Sequence, residues 1–325
     1  MSPDGVLPLV LALTAVAATA VLLAVAWNRL RLAGRSGLVL LAALSVVASA
    51  ALQVNRLTEA YPQAAEAAPP ASVTGSRMLI VHVPGKASRL TLTMFVYLPA
   101  AYRGGNGRYP VIEALHGYPG SPITWIRRLH VQATLDEEIA SGRMAPTVVL
   151  FPFQTTWHLL DTECTNLKDS VQSETFLTVD VPAYARAHWR VRADRAGWGL
   201  TGYSAGAYCA TNLLLKHPGE YAAAASLAGY AAPGIKVGDG SELTTNNPAW
   251  RLRHLPQPPA ALWLGWAADD KESSRDQRRL ASLCHHPLSL TTATVAHGGH
   301  SDAVWLRMEP PSFDWLSAHL ARPVS

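Results

Sequence analysis

The pentapeptide Gly202-Tyr203-Ser204-Ala205-Gly206 constrains this chain more than any other stretch, because of what stands on either side of it. An apolar, strand-like run, Trp198 to Thr201, leads in, and a helix-prone run, Ala207 to Leu215, leads out. G-x-S-x-G at a strand-to-helix junction is the nucleophile elbow, a sharp turn that lifts a serine hydroxyl above the end of a sheet. Such a turn holds the serine in a strained backbone conformation, and glycine two residues to either side removes Cβ atoms that would collide. One strand, one tight turn and one helix are therefore expected here.

The rest of the chain repeats that alternation. Strand-like runs rich in Val, Ile, Leu and Thr occur at Met78 to Val83, Leu90 to Leu98, Val111 to Leu115, Thr147 to Phe151, Trp198 to Tyr203, Ala222 to Leu227, Ala261 to Trp266 and Leu290 to Val295. Helical spacing separates most of the later ones, at Ala205 to Lys216, Arg275 to Leu283 and Ala303 to Leu320. This predicts an α/β fold, a mainly parallel sheet with helices on both faces. The first two runs are joined through Pro84-Gly85-Lys86 with no helix between them, which predicts an antiparallel hairpin at one edge. A 49% apolar content supplies the core such a fold needs.

A serine nucleophile needs a base, and folds built on this elbow order the triad as serine, then acid, then histidine. His300 satisfies that order in His297-Gly298-Gly299-His300-Ser301, directly after a strand, where two glycines permit a tight loop. His297 competes for the role, and no third ligand accompanies the pair to suggest a metal site. The acid belongs on the exit of the preceding strand, Ala267-Ala268-Asp269-Asp270-Lys271-Glu272. Asp270 is the first choice, with Asp269 and Glu272 open, and the unchosen carboxylates are expected to be solvated. A glycine-containing turn after Val111 to Leu115 provides one backbone donor for an oxyanion, and the N–H of Ala205 the second. His116 in that turn is expected to be a histidine held by hydrogen bonds beneath the loop.

Taken together, Val96-Tyr97-Leu98-Pro99, Leu115-His116-Gly117-Tyr118-Pro119-Gly120, Gly202-Tyr203-Ser204-Ala205-Gly206 and Gly299-His300-Ser301 resemble the bacterial putative-esterase family of α/β-hydrolases. That family includes esterase D and the secreted mycolyltransferases, and the resemblance runs from about Arg77 to Leu320. It implies an α/β-hydrolase fold, Ser204 as nucleophile, His300 as base, an acid at Asp270 or its neighbour, and oxyanion N–H groups from Tyr118 and Ala205. At Asp302 the chain departs from the usual pattern, which places an aromatic residue there; an acid makes the rim less apolar and puts binding of a long acyl chain in doubt. Asp161-Thr162-Glu163-Cys164 looks like part of the family's loop after the fourth strand, with its carboxylates expected to be solvated.

Ahead of this domain, Val6 to Trp27 carries no charged side chain, and a second uncharged run extends from Gly37 to Val54. Each is about long enough to cross a bilayer as a helix. Between them, Asn28 to Ser36 holds three arginines and no acid, which places the connection in the cytoplasm and both chain ends outside. The expected organisation is a two-helix transmembrane hairpin over 1–57, a flexible tether over 58–76 rich in Ala, Pro, Gln and Ser, and a catalytic domain over 77–325. A second reading, a signal peptide cut after Ala48-Ser49-Ala50, exports the same domain.

Three cysteines are too few for a disulfide scaffold. The loop after the fourth strand and the helix after the elbow share the carboxyl edge of a parallel sheet, so Cys164 and Cys209 are expected to pair, leaving Cys284 as a thiol. The alternative is three reduced, buried cysteines. A formal charge of +4 spread among acids, with no basic aromatic run, argues against a nucleic-acid partner. The expected partners are a small-molecule or lipid ester and the membrane, with neither metal nor organic cofactor implied. The leading function is serine ester hydrolysis through an acyl-enzyme. Acyl transfer to an envelope sugar or lipid uses the same residues; peptidase activity and a non-catalytic binding role on the same scaffold are the other readings.

Overall fold

The computed structural model describes residues 6–58, 75–104, 106–157 and 159–324. The chain divides into two compact units, Met1–Ala68 and Pro69–Ser325. Most of the tether expected over 58–76, residues 59–74, lies outside the described residues.

The first unit is a pair of helices, α1 (Val6–Ala26) and α2 (Leu32–Thr58), joined through a short 3-10 turn at Trp27–Arg29. Both are long and apolar enough to cross a membrane. Thr14, Thr19, Ser45 and Ser49 return to the backbone of their own helix: Thr14 Oγ1 donates to the Val10 carbonyl at 2.7 Å, and Ser45 Oγ to Leu41 at 2.8 Å. In hydrocarbon no water is present to do so. The connection is shorter than the expected Asn28 to Ser36, because α2 begins at Leu32. Arg35 explains this: its Nε donates to the Trp27 carbonyl at 2.9 Å, so the arginine folds back as part of the helix and closes the turn. Ala48, Ser49 and Ala50 lie inside α2.

The second unit is built on eight strands: β1 (Arg77–Pro84), β2 (Thr91–Leu98), β3 (Val111–Leu115), β4 (Val148–Pro152), β5 (Trp198–Tyr203), β6 (Ala223–Leu227), β7 (Ala261–Ala267) and β8 (Ser289–Val295). They form one sheet in the order β1-β2-β4-β3-β5-β6-β7-β8. β1 and β2 form the antiparallel edge hairpin, β2 runs antiparallel to β4, and every other pair is parallel. Helices α3 (Ile123–Arg127), α4 (Val131–Ala140), α5 (Ser173–Thr175), α6 (Val181–His188), α7 (Ala205–Lys216), α8 (Pro248–His254), α9 (Lys271–Leu283) and α10 (Asp302–His319) complete it. This is the α/β-hydrolase arrangement. β3, β4, β5, β6 and β7 are buried along their whole length, as strands covered on both faces must be.

The strand order places the site. From β3 the chain steps outward to β4 and then returns past β3 to β5, so the direction of winding reverses beside β3. Open α/β sheets bind ligands at the carboxyl ends of strands where that reversal leaves a crevice. The loop after β3 and the elbow after β5 both open there, in register at Leu115 and Gly202.

Candidate active site

Steric necessity shapes the elbow. Ser204 has φ 56°, in the left-handed region, and donates its N–H to the Leu227 carbonyl of β6 at 3.0 Å. A Cβ on Gly202 would lie 2.2 Å from the Gly206 carbonyl oxygen, and one on Gly206 would lie 2.2 Å from that of Leu115. No side chain fits at either position, so the turn passes as close to β3 as backbone allows. Gly117 runs over the nucleophile in the same way, since a Cβ there would come within 3.1 Å of the Ser204 Cβ. The backbone of the β3 loop is thus brought beside the serine. Neither the Tyr118 nor the Ala205 N–H donates to another group among the described residues. Ala205 opens α7, where the first amides have no intrahelical acceptor.

Ser204, His300 and Asp270 form one continuous chain of hydrogen bonds. His300 Nε2 lies 2.8 Å from Ser204 Oγ, and His300 Nδ1 lies 2.7 Å from Asp270 Oδ2. A carboxylate only accepts, so Nδ1 carries the proton and Nε2 presents a lone pair to the serine hydroxyl. Asp270 uses its other oxygen to cap α9, accepting from the Ser273 N–H at 3.2 Å. Both oxygens have fixed partners, which sets the carboxylate plane. Trp305 meets the imidazole edge-on at 5.3 Å between centroids and itself packs against Tyr203.

The other acids of the β7 exit separate by position. Asp269 is exposed, as expected of an unchosen carboxylate, and in addition accepts the Gly298 and Gly299 N–H groups at 3.1 and 2.9 Å. These bonds, that from Gly299 first, hold its carboxyl below the usual carboxylate range. Asp269 therefore anchors the loop that delivers His300. Glu272 lies in the first turn of α9, and the side chain of His297 is largely exposed.

A correction concerns Asp161 and Glu163. Solvated loop charges were expected, yet Glu163 is buried and takes the Gly234 N–H on both carboxylate oxygens at 2.9 Å. Burial pushes Glu163 up to about 7 and raises Asp161 as well. The next residue, Cys164, is joined to Cys209 of α7 by a disulfide with Cα atoms 5.6 Å apart. Cys284 is a half-buried thiol at the end of α9, pushed up by burial to about 12. His116 is buried beneath the β3 loop, with Nδ1 2.9 Å from the Gly117 carbonyl oxygen. Asp302 pairs with Arg128 at 3.5 Å. The rim is not uniformly polar for all that: Tyr118 reaches the Leu159 carbonyl, and Tyr118, Trp157 and Leu159 are all exposed.

Tyr230 is the residue that sequence reasoning missed. It follows β6, and its hydroxyl lies 3.2 Å from His300 Nε2. The signal available was positional: β6 neighbours β5, so a side chain three residues past its end faces the elbow.

With this geometry in place, the comparison with known proteins is decisive at the level of family. Residues 88–316 match the family described as Putative esterase. The chain belongs to this esterase family. An uncharacterized protein of Corynebacterium glutamicum is 26% identical over 241 residues, covering 69% of this chain and 56% of that protein. The chain thus spans little more than half the length of that relative. Among solved structures, this chain is similar to a ferulic acid esterase, with a TM-score of 0.67 at 18% identity over 76% of this chain and 100% of the other. An S-formylglutathione hydrolase from Agrobacterium tumefaciens gives 0.65 at 15% identity, over 77% and 98%. MPT51 of Mycobacterium tuberculosis gives 0.59 at 15% identity, over 75% and 99%. At these identities the structural likeness speaks for the fold alone.

Proposed function

We propose that this esterase works through an acyl-enzyme on Ser204, with His300 as general base and then general acid, and Asp270 as the group that fixes and charges the imidazole. The observation that carries the reading is the unbroken hydrogen-bond chain from Asp270 through His300 to Ser204. Ser204 Oγ attacks the ester carbonyl carbon while its proton passes to Nε2; the imidazolium then gives that proton to the departing alcohol oxygen. The carbonyl oxygen becomes an oxyanion, for which the Tyr118 and Ala205 N–H groups are the donors we assign. Water, or an acceptor alcohol, reverses these steps on the acyl-serine. Mixing the enzyme with a p-nitrophenyl ester of a short acid is expected to release a burst of about one p-nitrophenol per Ser204 before steady turnover. Mass spectrometry of the quenched mixture should find the acyl group on the Ser204 peptide. Turnover with the acyl group never found on Ser204 would remove the proposal.

We place the catalytic unit on the extracytoplasmic side of the membrane, held by α1 and α2. Arg29 and Arg31 between two apolar helices, with Arg35 in the first turn of the second, support this orientation, as arginine-rich connections stay in the cytoplasm. The disulfide supports it independently, since such bridges persist in oxidising compartments. Protease added to intact cells is expected to digest the chain beyond Arg56 and to leave the Arg29 to Arg35 connection shielded. A protected catalytic unit would invert the topology.

A further inference from the structure

We propose that the Tyr230 hydroxyl contacts the alcohol-side oxygen of the ester, donating a hydrogen bond to it as it leaves and receiving the water or alcohol that replaces it. This rests on the acyl-enzyme reading and adds to it the residue that handles the half of the substrate which departs.

The argument begins from His300 Nε2. That atom takes the proton from Ser204 and must deliver it to the leaving oxygen, so the leaving oxygen has to come within hydrogen-bond distance of it. Ser204 Oγ stands 2.8 Å from Nε2 on one side, and the Tyr230 hydroxyl 3.2 Å from it on another. An oxygen attached to the carbon that Ser204 attacks, and reachable from Nε2, therefore lies beside Tyr230. The other oxygen on that carbon faces the amides of Tyr118 and Ala205 and has no need of it. Trp305 closes the edge of the imidazole and Asp270 occupies Nδ1; among the described residues, Tyr230 is the side chain besides Ser204 that hydrogen-bonds with Nε2.

The loop carrying Tyr230 is built to hold it still. Ala228 sits at φ 60° and donates its N–H to the Gly265 carbonyl at 2.8 Å. Gly229 is wedged so tightly that a Cβ would fall within 2.7 Å of Ser226 Oγ and 2.9 Å of the Ala207 Cβ. Ala231 donates to Asp276 of α9 at 3.1 Å and accepts from Ala249 of α8 at 3.0 Å. Such strain is retained where the surroundings over-determine it, and it is concentrated at working sites. Burial raises the phenol above its ordinary value, so it stays protonated at neutral pH and is available as a donor. Through both half-reactions the tyrosine keeps its proton. In acylation the Oγ–C bond forms, the bond to the leaving oxygen breaks, and the proton that leaves with the alcohol is the one His300 took from Ser204.

The test compares two esters of one acid in wild type and Tyr230→Phe, which keeps the ring and its packing. For an alkyl ester, whose alkoxide leaves only with help, kcat/KM is expected to fall roughly tenfold. For the p-nitrophenyl ester, whose oxygen departs readily, the fall should be at least about fivefold smaller, because less charge needs support. A merely structural role for Tyr230 would lower both alike. Losses that differ by less than about fivefold, including no loss with either ester, would overturn the assignment. If acyl-Ser204 forms in the wild type and this comparison is flat, only Tyr230 is displaced; if no acyl-Ser204 forms, the acyl-enzyme reading falls instead.

Discussion

Ser204→Ala is expected to end ester hydrolysis, lowering turnover by roughly a millionfold, and to abolish labelling by a fluorophosphonate probe. The size follows from what the alanine leaves behind. His300 and Asp270 remain hydrogen-bonded to one another, but Nε2 has no serine hydroxyl to deprotonate and the ester meets no nucleophile. The backbone donors assigned to the oxyanion survive, so a residual rate above water of about 10³ to 10⁴ belongs to them and to binding. Ser204 is the N-cap of α7, yet its hydroxyl makes no capping bond, so alanine there removes no cap interaction. Folding should be nearly intact apart from the preference of Cβ-bearing residues against φ 56°, which serine already bears. His300→Ala should cost almost as much, and the double variant little more, since the two act as one unit. Sustained turnover by a folded Ser204→Ala protein would end the proposed mechanism.

The second large effect separates two adjacent carboxylates. Asp270→Asn is expected to lower kcat by about 10⁴-fold, because an amide can turn its NH₂ toward Nδ1, drive the proton to Nε2 and leave the serine facing a donor. Stability should change little, as asparagine caps a helix about as well as aspartate and the bond from the Ser273 N–H can be kept. Asp269→Asn is a different experiment. Its oxygen can still accept one of the two loop amides now bound, so His300 is held less firmly but in the same tautomer, and a loss nearer tenfold is expected. Measuring kcat alongside thermal melting for both variants decides the matter. The reverse ranking would transfer the acid's role to Asp269.

These two aspartates also mark where sequence stops being legible. All eight strand-like runs correspond to strands, to within one or two residues, because each is short and rich in strand-favouring residues, and for β3 to β7 burial on both faces leaves little ambiguity. The elbow was legible for a steric reason: only glycine fits at 202 and 206. The work of Asp269 was not, because its partners lie about thirty residues downstream on a loop whose path no local pattern gives. Glu163 was misjudged on similar grounds. A carboxylate in a polar loop reads as solvated until the fold brings the Gly234 amide over it. Tyr230 escaped because nothing in Ala228-Gly229-Tyr230-Ala231 marks a tyrosine as anything but packing. The start of α2 was set late for want of the Arg35 bond to Trp27, a contact eight residues back along the chain.

The close approach at the elbow bears on how such a chain changes over generations. Gly202 and Gly206 are required by the carbonyl oxygens of Gly206 and Leu115, atoms of the backbone itself, and this demand exists whether or not residue 204 reacts with anything. Serine at 204 is required only by the chemistry. A descendant released from esterase activity is free to lose Ser204 at once, while its glycines stay under selection for as long as the sheet and α7 remain packed. The frame of the motif therefore outlives its catalytic content. In a related chain, two glycines flanking some other central residue would mark inheritance of the scaffold without the reaction, and the serine between them is the part of the pattern that reports on use.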